Sequence, residues 1–207
     1  MDVKDRIRDS ARELFRRYGI RSVSMDDIAT HLAMSKKTIY QFYADKDELV
    51  DAVVDNEVKH MQDECVLTQK SAGDAVEEVF LTLAMAQVQL SSINPVLLFD
   101  MQKFHPRAFQ KFMAHKNEFL LEIIRHNLER GIREGLYREN LDIDIIARYR
   151  LETLMVPFNM DLFPPAKYSL ITITQVILEH FLYGLASEKG YQLILKYQKE
   201  QQKTRVV

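Results

Sequence analysis

Three helix starts fall between residues 24 and 45, and no other feature of this 207-residue chain restricts its fold as much. In the stretch SVSMDDIATHLAMSKKTIYQFYADKDEL, Ser24, Ser35 and Asp45 each carry a short side-chain oxygen suited to accept from the orphan amides of a first helical turn. Asp27 stands three residues after Ser24, and Glu48 three after Asp45, the spacing of a capping box. Val23 with Ile28 and Met34 with Ile39 are placed as hydrophobic staples. So many starts in so short a stretch leave room only for short helices joined by tight turns.

Upstream, Ile7, Ala11, Leu14, Phe15 and Tyr18 recur at helical spacing and predict a first helix over Val3–Tyr18, with Gly19 as its stop. The caps predict a second helix over Met25–Leu32, a third over Lys36–Tyr43 and a fourth from Lys46 to near Cys65. Ala33, Met34 and Ser35 join the second and third, the length of the turn in a helix-turn-helix. In that motif the second helix enters the major groove with its N-terminal residues at base edges, and the first crosses the backbone. Ser35, Lys36, Lys37 and Thr38 would then form the turn presented to DNA, with Tyr40 and Gln41 outward and Ile39 and Phe42 inward. A glutamine pairs bidentately with adenine, and a tyrosine hydroxyl reaches phosphate. Thr30, with His31 beside it, would touch the backbone, and Lys46 would meet a phosphate at the N-terminus of the fourth helix. From Ile28 to Ala44 there is no acid, although the chain carries 30. Residues 1–46 hold ten Lys/Arg against seven Asp/Glu, a basic head on a chain of net charge -2.

Residues 11–54 resemble the N-terminal DNA-binding domain of TetR/AcrR-type transcriptional regulators. The resemblance is carried by Ala11, Leu14, Phe15, Gly19, Ile28, Ala29, Ser35, Thr38, Ile39, Tyr40, Phe42, Tyr43, Lys46 and Leu49. Two positions depart from the pattern. Ala33 stands where the family usually has glycine, a place suited to a left-handed conformation that costs alanine about 1 kcal/mol. Lys37 stands where a small residue is common, which adds a positive charge at the DNA-facing end. The resemblance implies a sequence-specific DNA-binding regulator, a repressor released from its operator by a small apolar effector. Residues 1–46 would form the DNA-binding domain and residues 47–207 a helical domain that dimerises and binds the effector. The expected partners are double-stranded DNA with a palindromic operator, a second copy of the chain and a small molecule. The competing reading is a small-molecule-binding helical protein that keeps the head for structure only.

Past residue 66, periodicity and breakers predict helices over Ala72–Leu90, Pro95–Phe104, Pro106–Glu134 with Gly135 as stop, Ile143–Met155, Lys167–Ser187 and Tyr191–Gln201. With six glycines and five prolines, the chain reads as all-α: an N-terminal three-helix helix-turn-helix domain followed by a helical bundle. The segment 167–187 is apolar nearly all round, so it is expected to be covered on both sides. Ile173, Ile177, Phe181 and Leu185 are its expected dimer contacts, and the resemblance places dimerisation on this helix and the one before it. Met85, Phe99, Phe104, Phe112, Phe119, Ile123 and Met155 are expected to line an adaptable apolar cavity, against the simpler reading of each as core. The loop PFNMDLFPP, residues 157–165, is expected to plug the core.

No glycine-rich phosphate loop, GxSxG elbow or HExxH pair occurs. His115, Glu118, Glu122 and His126 follow one another at helical spacing, but the di-metal bundles repeat their motif on more than one helix. These four read as a solvated face, and neither enzymatic activity nor a cofactor or metal is expected. A single cysteine, Cys65, fits a reducing compartment, and the charged N-terminus lacks the pattern of a secretory signal. No apolar run approaches the length of a membrane span, so a cytoplasmic location is expected.

Overall fold

The computed structural model describes residues 2–204, and the side chains of residues 2–200. Eleven α-helices are described: α1 (Val3–Tyr18), α2 (Met25–His31), α3 (Lys36–Phe42), α4 (Lys46–Ser71), α5 (Ala75–Leu90), α6 (Val96–Phe104), α7 (Pro106–His115), α8 (Leu121–Arg133), α9 (Ile143–Thr153), α10 (Leu170–Leu185) and α11 (Glu188–Thr204). A π turn, Lys116–Leu120, lies between α7 and α8, and a 3-10 turn, Val156–Phe158, follows α9. Among the described residues the extended pairing is an isolated bridge between Tyr137 and Ala186, so the chain is all-α.

Local chemistry accounts for these bounds. Asp2 caps α1, whose stripe of Ile7, Ala11, Leu14 and Phe15 is buried, and Gly19 ends it at φ 84. Ser24 and Asp27 form the full capping box of α2. At α4, Asp45 accepts from Glu48 N at 2.8 Å, but Glu48 reaches past Asp45 to the N–H of Ala44 at 2.6 Å. That helix runs to Ser71, beyond the predicted end near Cys65, because nothing breaks it before Gly73. Helix α5 starts at Ala75, three residues later than predicted, because Asp74 caps it by accepting from Val76 N and Glu77 N. Likewise Ser169 caps α10 and shortens the predicted 167–187 segment at its start. The long helix predicted over 106–134 is interrupted by the π turn, and α9 gives way to the 3-10 turn ahead of Pro157. The last helix starts at Glu188, ahead of the predicted Tyr191, and runs to Thr204.

The chain forms two compact units, Met1–Gln62 with Ser92–His115, and Asp63–Ser91 with Lys116–Val207. In the first, Ile7, Phe15, Ile28, Ile39, Leu49 and Met101 share one core. Thus α6 and α7, which the sequence puts with the body, pack with the first three helices. The Asn94 N–H donates to Arg16 O at 2.7 Å, and a Cβ on Gly19 would stand 2.7 Å from Val96 Cγ1. Glycine at 19 therefore serves both the helix stop and this close approach. In the second unit Phe80, Leu121, Leu128, Tyr137, Leu151, Leu182 and Ile194 form a separate core. There the Tyr137 hydroxyl sits 3.1 Å from both Ala75 O and Asn127 Oδ1.

Candidate nucleic-acid interface

The turn between α2 and α3 sets the geometry of the head. Ala33 has φ 52, the left-handed conformation, and is the non-glycine residue with positive φ among those described. The turn is held by Ala33 N donating to Thr30 O at 3.1 Å and Met34 N donating to Ala29 O at 2.9 Å. The expectation drawn from Ala33 therefore matches the backbone, and about 1 kcal/mol of strain is carried by these bonds and the packed staples.

From that turn α3 projects its first residues outward. Ser35 Oγ accepts from Thr38 N at 3.1 Å and lies 2.8 Å from Thr38 Oγ1, so these two side chains hold each other as the cap. Lys36, Lys37, Tyr40 and Gln41 are exposed, and Ile39 is fully buried beneath them. Thr30 and His31 are exposed on α2. Lys36 Nζ meets Asp26 Oδ1 at 2.7 Å, and that hydrogen bond raises its pKa. The ammonium also stands 6.0 Å from the Tyr40 ring centroid.

Lys46 sits differently from the rest of its expected set. Its ammonium donates to Ile20 O at 2.6 Å, 5.9 Å from the Phe15 ring centroid. Burial lowers its pKa, with Asp100, Asp47 and Asp27 pulling the other way. Sequence spacing puts Lys46 at a helix start but carries no sign of the Ile20 carbonyl, which comes from the turn after α1. Tyr43 is 2% exposed and donates to Lys4 O at 3.3 Å, so it belongs to the scaffold of the head.

The residues expected in the body divide between the two units. Phe99, Phe104 and Phe112 lie in the first, where Phe99 and Phe104 are exposed with Lys103 over both rings and Phe112 packs against the core. Met85, Phe119, Ile123 and Met155 lie in the second, all half-buried. On α10, Ile173, Phe181 and Leu185 are buried within their own unit and Ile177 is half-buried. The side left open carries Thr172, Val176, His180 and Tyr183 instead, because α5 and α11 cover the opposite face. Loop residue Leu162 is 58% exposed, whereas Phe163 packs edge-on against Tyr168. The π turn breaks the register of the histidine and glutamate series: His115 is buried, while Glu118, Glu122 and His126 are exposed. Among the described residues no group of three or more His, Cys, Asp or Glu is arranged to hold a metal ion. No described helix is long and apolar enough to cross a membrane.

Residues 7–53 match the family profile of the bacterial regulatory proteins, tetR family. The uncharacterized helix-turn-helix regulator YvaF of Bacillus subtilis is 33% identical over 89 residues, which cover 42% of this chain and 47% of that protein. The alignment thus spans about half the length of that relative. The transcriptional repressor KstR2 of Rhodococcus jostii is 23% identical over 183 residues, 86% of this chain and 89% of that one. Among solved structures, the regulator FadR from Bacillus subtilis, in complex with stearoyl-CoA, shares the fold with a TM-score of 0.65 at 19% identity, covering 87% and 98% of the two chains. A capped helix pair joined by a left-handed turn, on an all-α chain, has the architecture of a helix-turn-helix head. Over residues 7–53 this helix pair is similar to the tetR family of bacterial regulatory proteins.

Proposed function

We propose that the protein is a homodimeric repressor whose α3 reads a palindromic operator and whose second unit binds a small-molecule effector. The exposed first turn of α3, raised on the Ala33 turn and free of acids, is the observation that carries this reading. In it Lys37 and Gln41 reach base edges, Tyr40, Lys36 and Thr30 grip phosphates, and Ser35 and Thr38 hold the helix start. Lys36 leaves Asp26 on binding, an exchange of one exposed ion pair for another at little cost. Lys46 steadies the turn after α1 through Ile20 O and takes at most a secondary part at phosphate.

Two-fold symmetry matches a palindrome, with half-sites one helical turn or a multiple apart. The open side of α10 supports the second copy docking there: Val176 is 60% exposed and Tyr183 38%, with Ile145 at 64% and Tyr149 at 52% on α9. Effector control is supported by the FadR relative, whose solved complex holds stearoyl-CoA. Helix α4 starts among the DNA-reading helices and continues into the second unit, so a shift at its far end changes the spacing of the two reading helices. Release then follows from differential affinity of effector and operator for two dimer shapes.

A gel shift and footprint with the chain's own upstream DNA tests the reading. Protection of a palindrome that an effector abolishes is the expected result, and no protection of any sequence by the purified dimer would overturn it.

A further inference from the structure

Arg150 lies on α9 with 7% of its surface exposed, on a face otherwise made of Ile143, Ile146, Ala147, Leu151 and Leu154. Other buried charged side chains have a charged partner or a backbone donor. Lys116 meets Glu152 at 2.7 Å, Glu78 meets Arg130 at 3.2 Å, and Asp100 accepts from Arg21 N at 2.9 Å. Among the described residues Arg150 has no carboxylate. Its Nη1 donates to Thr153 Oγ1 at 3.1 Å, and its guanidinium stands 5.5 Å from the Phe181 ring centroid. That accounts for one of the five N–H donors of a guanidinium.

A buried charge without a counter-charge is costly, and most side chains escape the cost by losing it. Burial does lower the Arg150 pKa, to about 10, yet the group stays protonated at neutral pH. A largely buried, forked cation on an apolar face thus stands without an anion among the described residues. We propose that Arg150 is the anion-recognising residue of an effector site in the second unit, and that the effector is an organic acid, a carboxylate joined to an apolar body. The inference rests on the effector-binding reading given above. One guanidinium neutralises one charge, and its two parallel N–H groups match a carboxylate. A phosphate monoester would bring a second charge that nothing at Arg150 meets. Phe181 supplies the apolar wall beside the fork.

Direct titration calorimetry on the full chain, with octanoate, decanoate and 3-phenylpropionate each beside its alcohol, tests the site without DNA. At least one acid is expected to bind about ten-fold tighter than its alcohol, the worth of a charge-assisted hydrogen bond. Arg150→Met is expected to erase that preference while the alcohol binds as before, which a merely structural arginine would not do. If Arg150→Met does not fold, Arg150→Gln carries the same comparison. Equal binding of acid and alcohol, binding by no acid of the set, an undiminished preference in the variant, or tighter binding of octyl phosphate overturns the proposal. Operator release is scored separately. Acids that bind yet release no DNA leave the site standing and overturn the effector reading, whereas release by a neutral compound alone does the reverse.

Discussion

The backbone N–H of Arg21, in the turn between α1 and α2, donates to the Asp100 carboxylate of α6 at 2.9 Å. Asp100 is 4% exposed, so a residue far along the chain pins the turn that leads into α2. Removing it takes away the acceptor of a part-buried N–H. Asp100→Ala is expected to lower stability by about 1–3 kcal/mol, read from the urea midpoint, with Asp100→Asn losing less because its amide oxygen still accepts. An unchanged midpoint in the alanine variant would take the contact off the list of supports.

At Ala33 the backbone is strained by its φ of 52. Glycine removes the Cβ clash but frees the unfolded chain, and the two terms oppose each other. Ala33→Gly is expected to raise stability by up to about 1 kcal/mol, while Ala33→Val lowers it by more than about 1 kcal/mol. Thermal unfolding of the pair decides: a glycine variant less stable than the valine one rules out strain at this turn.

Salt dependence separates the lysines of the head. Lys36 is exposed and grips a phosphate in the proposed complex, so Lys36→Ala is expected to lower the slope of log affinity against log salt by about 0.9. Lys46 spends its ammonium on Ile20 O, so Lys46→Ala is expected to lower the slope by less and to cost about 1–2 kcal/mol of stability. Fluorescence anisotropy at several salt concentrations reads both slopes, and equal losses would return Lys46 to the phosphate contacts.

Two residues of α10 test where the second copy docks. Val176 is 60% exposed and Phe181 7%. Val176→Arg is expected to yield a folded monomer by light scattering, with weakened operator binding. Phe181→Ala is expected to cost about 3–5 kcal/mol of stability, since it empties the chain's own core. A dimer that survives Val176→Arg would place the interface on another face.

Acid should loosen the start of α2 in a predictable window. The Ser24 hydroxyl, then its backbone N–H, hold the Asp27 carboxyl below its ordinary value of 3.8. Between the folded and unfolded values the unfolded chain binds more protons, so this contribution is full above 3.8 and is lost as pH falls through the folded value. Asp27→Asn is expected to flatten the acid limb of melting temperature against pH over roughly pH 2 to 5. An acid limb as steep as that of the parent chain would show that Asp27 does not contribute.

Much of the head is legible in the sequence because its signals are local. Ser24, Ser35 and Asp45 cap within three residues of themselves, and Ala33 reports its own backbone conformation. Helix ends farther on moved where a nearer cap won, as Asp74 and Ser169 did. The π turn at Lys116–Leu120 left no such mark, since no proline or glycine announces it.

By itself, then, the sequence determined the all-α class, the helix-turn-helix and the outward set Lys36, Lys37, Tyr40 and Gln41, because caps and helical periodicity act over one or two turns. Only the tertiary structure decided that Lys46 turns in to Ile20 O, that Asp100 holds Arg21, that Val176 and not Phe181 lies on the open side of α10, and that Arg150 is buried without a carboxylate. Each of those depends on which distant segment covers a face, and a near-uniformly apolar helix such as α10 does not encode that choice in its spacing.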